Sequence, residues 1–306
     1  MPILFALVGA TGIGKSSLSM ELASKYEAEI IGVDSRQIYK DFAIGTAQPS
    51  AFDQARVPHH MVNFLTATET FSAGDFCRRV KEIVEERPEK KFVLVGGTGL
   101  YLQSLILGLP EIPKLDECIR KNLESEIDKN GLVSLFEIAK SVDPEAMASV
   151  EPNNAQRIIR ILEVWRGTGR KLSDWQKERV GGIGKIPVFA LQRDRDILYK
   201  RINARVDQMM KDGWMDEVLA LAKTVPLEAP AWQSLGYREL LHAQTAEDVA
   251  TVLEEVKKKT RNYAKRQLTW FRTQMDTIAV DLDNEKNPAE FICNRLSAMR
   301  SLRFEP

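Results

Sequence analysis

Short apolar runs alternate with amphipathic stretches in the N-terminal third of the chain. The runs at 3–9, 29–34 and 91–97 have the length and the β-branched content of buried strands. The segments 16–26 and 71–88 repeat their apolar positions at the helical period. Strands that alternate with helices predict an α/β core, in which a parallel sheet carries helices on both faces. Ligands of such sheets bind at the carboxyl ends of the strands.

The pattern changes near Pro110, after which helical periods follow one another without a strand. A glycine-rich joint and a strand near Ile186 restore the earlier pattern, and helices dominate the remainder of the chain. We therefore predict an all-helical insertion domain at 114–184. It is set into a catalytic core with a helical C-terminal part, formed by 1–113 and 185–306.

A glycine-rich turn connects the first predicted strand to the first predicted helix. It reads GATGIGKS and matches the P-loop pattern GxxxxGK[ST] in the strand, turn and helix context that this pattern requires. Glycines let the backbone N–H groups point inward, the lysine adds a fixed charge, and the serine hydroxyl can ligate Mg²⁺. A diphosphate or triphosphate is the predicted ligand, and a chance glycine turn is the alternative. The predicted phosphate-binding residues are Gly9, Ala10, Thr11, Gly12, Ile13, Gly14, Lys15 and Ser16.

The predicted strand at 91–97 bears on what the phosphate loop does. Proteins that use this loop to transfer or hydrolyse a phosphoryl group commonly hold Mg²⁺ with an acid at the end of a later apolar strand. Here the strand ends in glycines followed by Thr98, without an acid. The sequence therefore disfavours a nucleotide hydrolase or a motor.

Bulk composition changes this picture little. The 306 residues, 44% of them hydrophobic, are enough for a sizeable core. The 43 basic residues balance the 43 acidic ones, so net charge does not indicate a polyanionic partner. Neither a membrane-spanning run nor a signal peptide is predicted, and we expect a cytoplasmic monomer that does not bind membranes. Cys77, Cys118 and Cys293 lie far apart and are expected to be free thiols.

Local charge is more informative at 257–272. This segment carries many lysines and arginines without an acid, and Tyr263, Trp270 and Phe271 interrupt them. A basic helix with aromatic residues is typical of a nucleic-acid contact, and a solvated helical face is the alternative of about equal weight.

Motifs in a fixed order follow the phosphate loop: DSRQIY, GTAQP, PHH, FSAGDF, VGGTGLY, NNAQRIIRILEV, TGRKLSDWQ and KRQLTWF. In this order they resemble the tRNA dimethylallyltransferase family, in its bacterial form, over nearly the whole chain. The resemblance implies transfer of the dimethylallyl group from dimethylallyl diphosphate to N6 of the adenosine immediately 3′ of the anticodon, with release of pyrophosphate. It also implies Mg²⁺ as cofactor and the tRNA anticodon arm as partner.

The resemblance assigns catalytic roles to particular side chains. Asp34 corresponds to the acid that takes a proton from the N6 amine, and Thr98 to a threonine close to that amine. Arg205, with Arg201 one helical turn before it, corresponds to the arginine that neutralises the leaving pyrophosphate. Taken alone, two arginines in a helix that contains Asp207 are more typical of surface ion pairs, and Thr98 is typical of a turn cap.

Contacts with tRNA are expected from two parts of the chain. Residues after Asp34 suit hydrogen bonds to a flipped-out adenine. In the insertion, Arg157 and Arg160 share one helical face while Trp165 belongs to the packing face. We expect this helix and the basic segment to clamp the anticodon arm from both sides. The predicted tRNA-binding residues are Asp34, Ser35, Arg36, Gln37, Thr98, Gln156, Arg157, Arg160, Arg238, Lys265 and Arg266.

Some positions depart from the family pattern. Gln48 stands where the family usually has a lysine, which puts a phosphate contact there in doubt. Ser16 replaces the common threonine, with little expected effect. His59 and His60 lack a third ligand at suitable spacing, so structural hydrogen bonds are predicted for them instead of a metal site.

Three other functions stay open at this point. The first is an adenylate isopentenyltransferase of the cytokinin-forming type, which needs no tRNA clamp. The second is a small-metabolite kinase in which Asp34 acts as base for a substrate hydroxyl. The third is an RNA-binding module without catalysis, which the intact phosphate loop disfavours.

Overall fold

The computed structural model describes residues 2–243 and 245–301, with side chains through Met299. The chain divides into two compact units. The core unit holds the chain up to Gln103 and from Lys185 onward, and the insertion unit is Ser104–Gly184. The insertion thus begins earlier than the 114 expected from the sequence, because the helix that starts at Gly99 continues across the boundary.

The strands of the described residues are short, and they follow one another in chain order as follows. They are β1 (Ile3–Val8), β2 (Ala28–Val33), β3 (His59–His60), β4 (Lys91–Gly96), β5 (Leu109–Pro110), β6 (Arg179–Val180), β7 (Val188–Gln192) and β8 (Ile278–Asp281). The pattern did not predict β3, β5, β6 or β8.

The helices account for most of the remaining described residues. They are α1 (Lys15–Tyr26), α2 (Ala51–Arg56), α3 (Ala73–Glu86), α4 (Gly99–Leu107), α5 (Glu117–Asn130), α6 (Leu132–Val142), α7 (Pro144–Met147), α8 (Ala155–Thr168), α9 (Leu172–Lys177), α10 (Arg195–Lys211), α11 (Trp214–Leu221), α12 (Tyr237–Leu241), α13 (Ala246–Gln274) and α14 (Pro288–Ser301), with a 3₁₀ helix at Pro230–Gln233. None of them is both long and apolar enough to cross a membrane.

A parallel sheet with the order β3-β2-β4-β1-β7-β8 forms the centre of the core unit. Val8 and Val33 both pair with Gly96, so the residues that follow these strands, including Asp34, lie side by side. A Cβ at Gly96 would collide with the Val33 carbonyl, which explains the glycine. The α/β prediction is confirmed, and the carboxyl ends of three strands meet at one edge.

Two apolar clusters stabilise the core unit. One lies on the sheet around Phe5, Leu7 and Phe189, and the other surrounds Trp214 and Tyr237. Burying apolar area of this kind provides most of the driving force for folding. The second cluster fixes α11 and α12 beside the chain that follows β2, which is part of the site described below.

The insertion unit has an apolar core of its own. Ile158, Ile161 and Leu162 of α8 are buried there together with residues of α5 and α6. Trp165 was expected on this packing face, but its residue is 37% exposed. That expectation is wrong because α8 buries the narrower stripe formed by its isoleucines and leucine. An antiparallel pair, β5 and β6, completes the unit.

Candidate active site

A cleft of about 740 Å³ opens in the core unit where the strands end. The phosphate loop (residues 9–16) enters it through Gly12 and Gly14, whose φ values of 77° and 120° favour glycine. Gly9, Ala10 and Ile13 are buried and do not line it. The predicted residues that do line it are Thr11, Gly12, Gly14, Lys15, Ser16, Asp34, Arg36, Gln37, Arg201 and Arg205.

Lys15 provides a buried positive charge in this cleft. Its Nζ donates hydrogen bonds to the carbonyls of Gly9 (2.9 Å) and Ala10 (2.8 Å). Removal from water lowers its pKa to about 8, although the negative charge of Asp34 opposes this shift and the positive charge of Arg205 adds to it. An ammonium group held only by neutral carbonyls is available to an incoming anion.

Arginines bind the outer side of the phosphate loop. Arg201 Nε donates to the Gly12 carbonyl (3.0 Å) and Arg193 Nε to the Ile13 carbonyl (3.3 Å). Arg193 is itself paired with Asp283 at 2.7 Å. With its carbonyls engaged in this way, the loop keeps N–H groups for phosphate oxygens. Sequence reasoning missed Arg193, which lies outside every motif.

Arg205 occupies the position expected of an arginine that meets a leaving group. Its Nη1 donates to Thr11 Oγ1 at 3.3 Å. Burial lowers its pKa, which the negative charge of Asp34 opposes, but a guanidinium keeps its proton in a protein. Asp207 on the same helix pairs with Lys257 at 2.7 Å instead. The alternative of a surface ion pair within α10 is therefore wrong for this arginine.

Asp34 presents one carboxylate oxygen to the cleft. Its Oδ1 accepts hydrogen bonds from the backbone N–H groups of Arg36 (2.8 Å) and Gln37 (3.2 Å). No donor within the described residues binds Oδ2. One oxygen fixes the side chain and the other remains free, which is the arrangement a general base needs.

Thr98 lies at the same edge, although it is not part of the cleft lining. Its Oγ1 accepts a hydrogen bond from the Ser35 N–H at 3.1 Å, and it shares a hydrogen bond with the hydroxyl of Tyr263. Burial raises the pKa of Tyr263 to about 12, and the nearby charge of Asp34 contributes, so this tyrosine stays protonated. The sequence indicated Tyr263 only as an aromatic residue in a basic helix.

Glutamines brace the loop that follows β2. Gln37 Nε2 donates to the carbonyls of Thr46 (3.1 Å) and Ala47 (2.6 Å). Gln48 Nε2 donates to the carbonyls of Gln37 (3.0 Å) and Tyr39 (2.7 Å). The donor group of Gln37, expected to bind adenine, is thus engaged within the protein, and its Oε1 is the remaining polar atom. Gln48 has a main-chain bracing role in place of the family's lysine.

Glu217 anchors the same loop from α11. Its carboxylate accepts hydrogen bonds from the N–H groups of Ala43 (3.1 Å) and Ile44 (2.9 Å) and from the Tyr237 hydroxyl (2.6 Å). The Tyr237 oxygen in turn accepts from the Gly45 N–H at 3.1 Å. These contacts hold one wall of the cleft in place, and the sequence gave no signal for them.

The basic segment on α13 combines two kinds of cation. Lys257 and Lys259 pair with carboxylates. Lys265 and Arg266 are exposed and have no carboxylate partner among the residues described, and the Arg266 guanidinium lies 5.7 Å above the centroid of the Tyr263 ring. The segment is thus a solvated ion-pair face near its start and an unneutralised basic surface beside a cleft residue.

Predicted tRNA contacts outside the cleft are exposed. Gln156 and Arg157 lie on the surface of the insertion unit, where Arg160 pairs with the buried Glu163 at 2.8 Å. Arg238 on α12 of the core unit is exposed as well and does not line the cleft. All four are therefore accessible, but one of them is already partly neutralised.

The histidines following α2 have structural partners. His59 Nδ1 lies 2.7 Å from the Val57 carbonyl oxygen, and His60 Nε2 lies 2.6 Å from Glu29 Oε2. Burial lowers the pKa of His59 despite its bond to that carbonyl. The prediction of structural hydrogen bonds is confirmed.

Comparisons with known proteins agree on one family. A model described as IPP transferase matches residues 37–274. The tRNA dimethylallyltransferase of Salinibacter ruber is 40% identical over 278 residues, which are 89% of this chain and 85% of the relative. That of Desulfosudis oleivorans is 38% identical over 303 residues, 96% of each chain.

Solved structures give the same result. The chain is similar to the tRNA isopentenylpyrophosphate transferase of Bacillus halodurans, with a TM-score of 0.70, 32% identity and complete coverage of both chains. It is also similar to a eukaryotic dimethylallyltransferase acting on tRNA, with a TM-score of 0.83, 27% identity and coverage of 100% of this chain and 81% of the other.

Proposed function

The chain belongs to the IPP transferase family, and we propose that it transfers the dimethylallyl group from dimethylallyl diphosphate to N6 of the adenosine immediately 3′ of the anticodon in tRNA, releasing pyrophosphate. One observation carries the proposal. A phosphate loop with a buried ammonium group and a carboxylate with one open oxygen line the same cleft. The names of relatives that match nearly the whole chain support it.

The leaving group is pyrophosphate. When the bond between the allylic carbon and oxygen breaks, negative charge grows on the departing oxygen, and charges fixed in advance stabilise it best. Lys15, Arg201 and Arg205 lie on the cleft wall and are held by neutral oxygens. They can meet the new charge without first breaking an ion pair with a carboxylate.

The nucleophile is the exocyclic amine of adenine. Its lone pair is delocalised into the ring, so it reacts well only if a proton leaves as the carbon–nitrogen bond forms. Asp34 accepts that proton on Oδ2, while the backbone N–H groups on Oδ1 keep the carboxylate oriented. The Thr98 hydroxyl, held by Ser35 and Tyr263, orients the amine.

Mg²⁺ fits the phosphate loop. The Ser16 hydroxyl lines the cleft beside Lys15, and Mg²⁺ is commonly bound by few protein oxygens together with substrate phosphates. We propose that Ser16 holds the ion against the diphosphate. When bound, the ion supplies further neutralisation of the departing pyrophosphate.

Exposed cations hold the tRNA. Lys265 and Arg266 of the core unit and Arg157 of the insertion unit have no carboxylate partner among the described residues, so they are available to phosphates. The target adenosine must leave its stack to reach a cleft of this kind. Because the acceptor is tRNA, we propose the cytoplasm as the site of action.

The test measures prenyl transfer against phosphoryl transfer. Purified protein is incubated with labelled dimethylallyl diphosphate and undermodified total tRNA, and the tRNA is digested to nucleosides. Label is expected in N6-modified adenosine, and the Lys15→Ala variant should give far less. A parallel incubation with ATP should show negligible turnover. Turnover of ATP without transfer of label would replace the proposal with the kinase alternative.

A further inference from the structure

Gln267 connects the two sides of the cleft near the phosphate loop. Its residue is 6% exposed, and both ends of its amide are engaged. Oε1 accepts a hydrogen bond from the Thr11 N–H at 2.9 Å, and Nε2 donates to the Gly97 carbonyl at 3.0 Å. The amide therefore bridges the loop after β1 and the turn after β4.

The surroundings of this bridge are tightly packed. A Cβ on Gly97 would collide with the Gln267 amide nitrogen. The side chain of Thr11 is held as well, because its Oγ1 accepts from Arg205. The Thr11 N–H points at Gln267 and is not available to a phosphate oxygen.

The bridge lies where triphosphate-using P-loop proteins have another group. Those proteins cradle the last two phosphates with the loop, and they hold the metal ion with an acid at the end of a neighbouring strand. A terminal phosphoryl thus lies between the loop and that strand end. In this chain β4 is the strand beside β1, and the amide of Gln267 fills the space between their ends.

We propose that Gln267 sets the length of the polyphosphate chain that the site accepts, admitting a diphosphate and excluding a third phosphoryl group. This deepens the proposed function, on which it rests for the role of the diphosphate. It also gives a structural reason for a P-loop protein to bind a prenyl diphosphate without binding the triphosphate of ATP.

Binding of inorganic pyrophosphate and inorganic tripolyphosphate tests the proposal without any organic group. Isothermal titration calorimetry with Mg²⁺ present should show wild-type protein binding pyrophosphate at least about tenfold more tightly, the usual effect of one charged hydrogen bond. Gln267→Ala opens the space and frees the Thr11 N–H, so the preference should disappear. Gln267→Met fills the space without hydrogen bonds, so the preference should remain although both affinities fall.

Gln274→Ala is the matched control, because this exposed glutamine lies on the same helix and outside the cleft lining. It should behave as wild type. Equal binding of the two anions by wild-type protein overturns the inference even if the alanine variant fails to fold, and so does an alanine variant that keeps the preference. Prenyl transfer assayed on the same preparations separates the outcomes: transfer without an anion preference defeats this inference alone, and a preference without transfer defeats the proposed function alone.

Discussion

Cations of the cleft and cations of the insertion unit have different partners. In the cleft, Lys15 and Arg205 are bound by carbonyl and hydroxyl oxygens. On α8 of the insertion unit, Arg160 and Arg166 form ion pairs with glutamates at 2.8 Å and 2.6 Å. A buried cation with neutral partners keeps its attraction for an anion, whereas an exposed and paired one adds little. Single substitutions should therefore matter in the cleft, and only combined ones on the surface.

The largest effect is expected at the carboxylate that the cleft cations surround. Asp34→Asn should reduce turnover by about two orders of magnitude or more, since it removes the proton acceptor. The amide oxygen can still accept from Arg36 and Gln37, so the binding of both substrates should change little. Steady-state kinetics with labelled dimethylallyl diphosphate measures this, with the exposed Asp212→Asn as control. Near-normal turnover would remove Asp34 from the mechanism.

The cleft cations come next. Lys15→Ala and Arg205→Ala should each lower kcat/KM for dimethylallyl diphosphate by about 100-fold, because each removes a charge that faces the leaving group. The KM for tRNA should stay close to that of wild type. Lys200→Ala is the control, since this exposed lysine lies on α10 outside the cleft lining. An unchanged variant would show that its residue does not contact the diphosphate.

The pH dependence of diphosphate binding separates the two kinds of cation further. Lys15 in the empty site has a pKa lowered to about 8, so it is charged below that pH and loses its proton above it. Affinity for dimethylallyl diphosphate should be full below pH 8 and fall above it, by up to about tenfold per pH unit. Lys15→Ala should bind weakly and without this fall. A wild-type affinity constant from pH 7 to 9.5 would contradict the assigned role.

Surface cations should show the smallest effects, and only in pairs. Replacing Lys265 and Arg266 together with alanine should raise the KM for tRNA several-fold and reduce its salt dependence by about one unit of slope per lost phosphate contact. The pair Arg157 and Arg160 should do the same more weakly, because Glu163 already neutralises part of it. The KM for dimethylallyl diphosphate should not move. Salt titrations of tRNA binding provide the measurement.

Sequence and structure agree best where chemistry is local. The phosphate loop was predictable because its glycines, lysine and hydroxyl lie within one turn between a strand and a helix. Gln267 was not, since Thr11 and Gln267 are 256 positions apart and no spacing rule connects them. The strand β8 was missed because its four residues are short of a strand pattern and depend on pairing with β7. Tyr263 was noticed only as an aromatic residue, because its contact with Thr98 requires the folded chain.

Competition between two acceptors tests the account most directly. Wild-type protein receives labelled dimethylallyl diphosphate together with equal concentrations of AMP and of an anticodon stem-loop that carries adenosine just 3′ of the anticodon. The exposed basic surfaces contribute to binding only for the RNA, so nearly all of the label should appear in the stem-loop. Equal labelling of AMP would contradict the account and favour the adenylate isopentenyltransferase alternative.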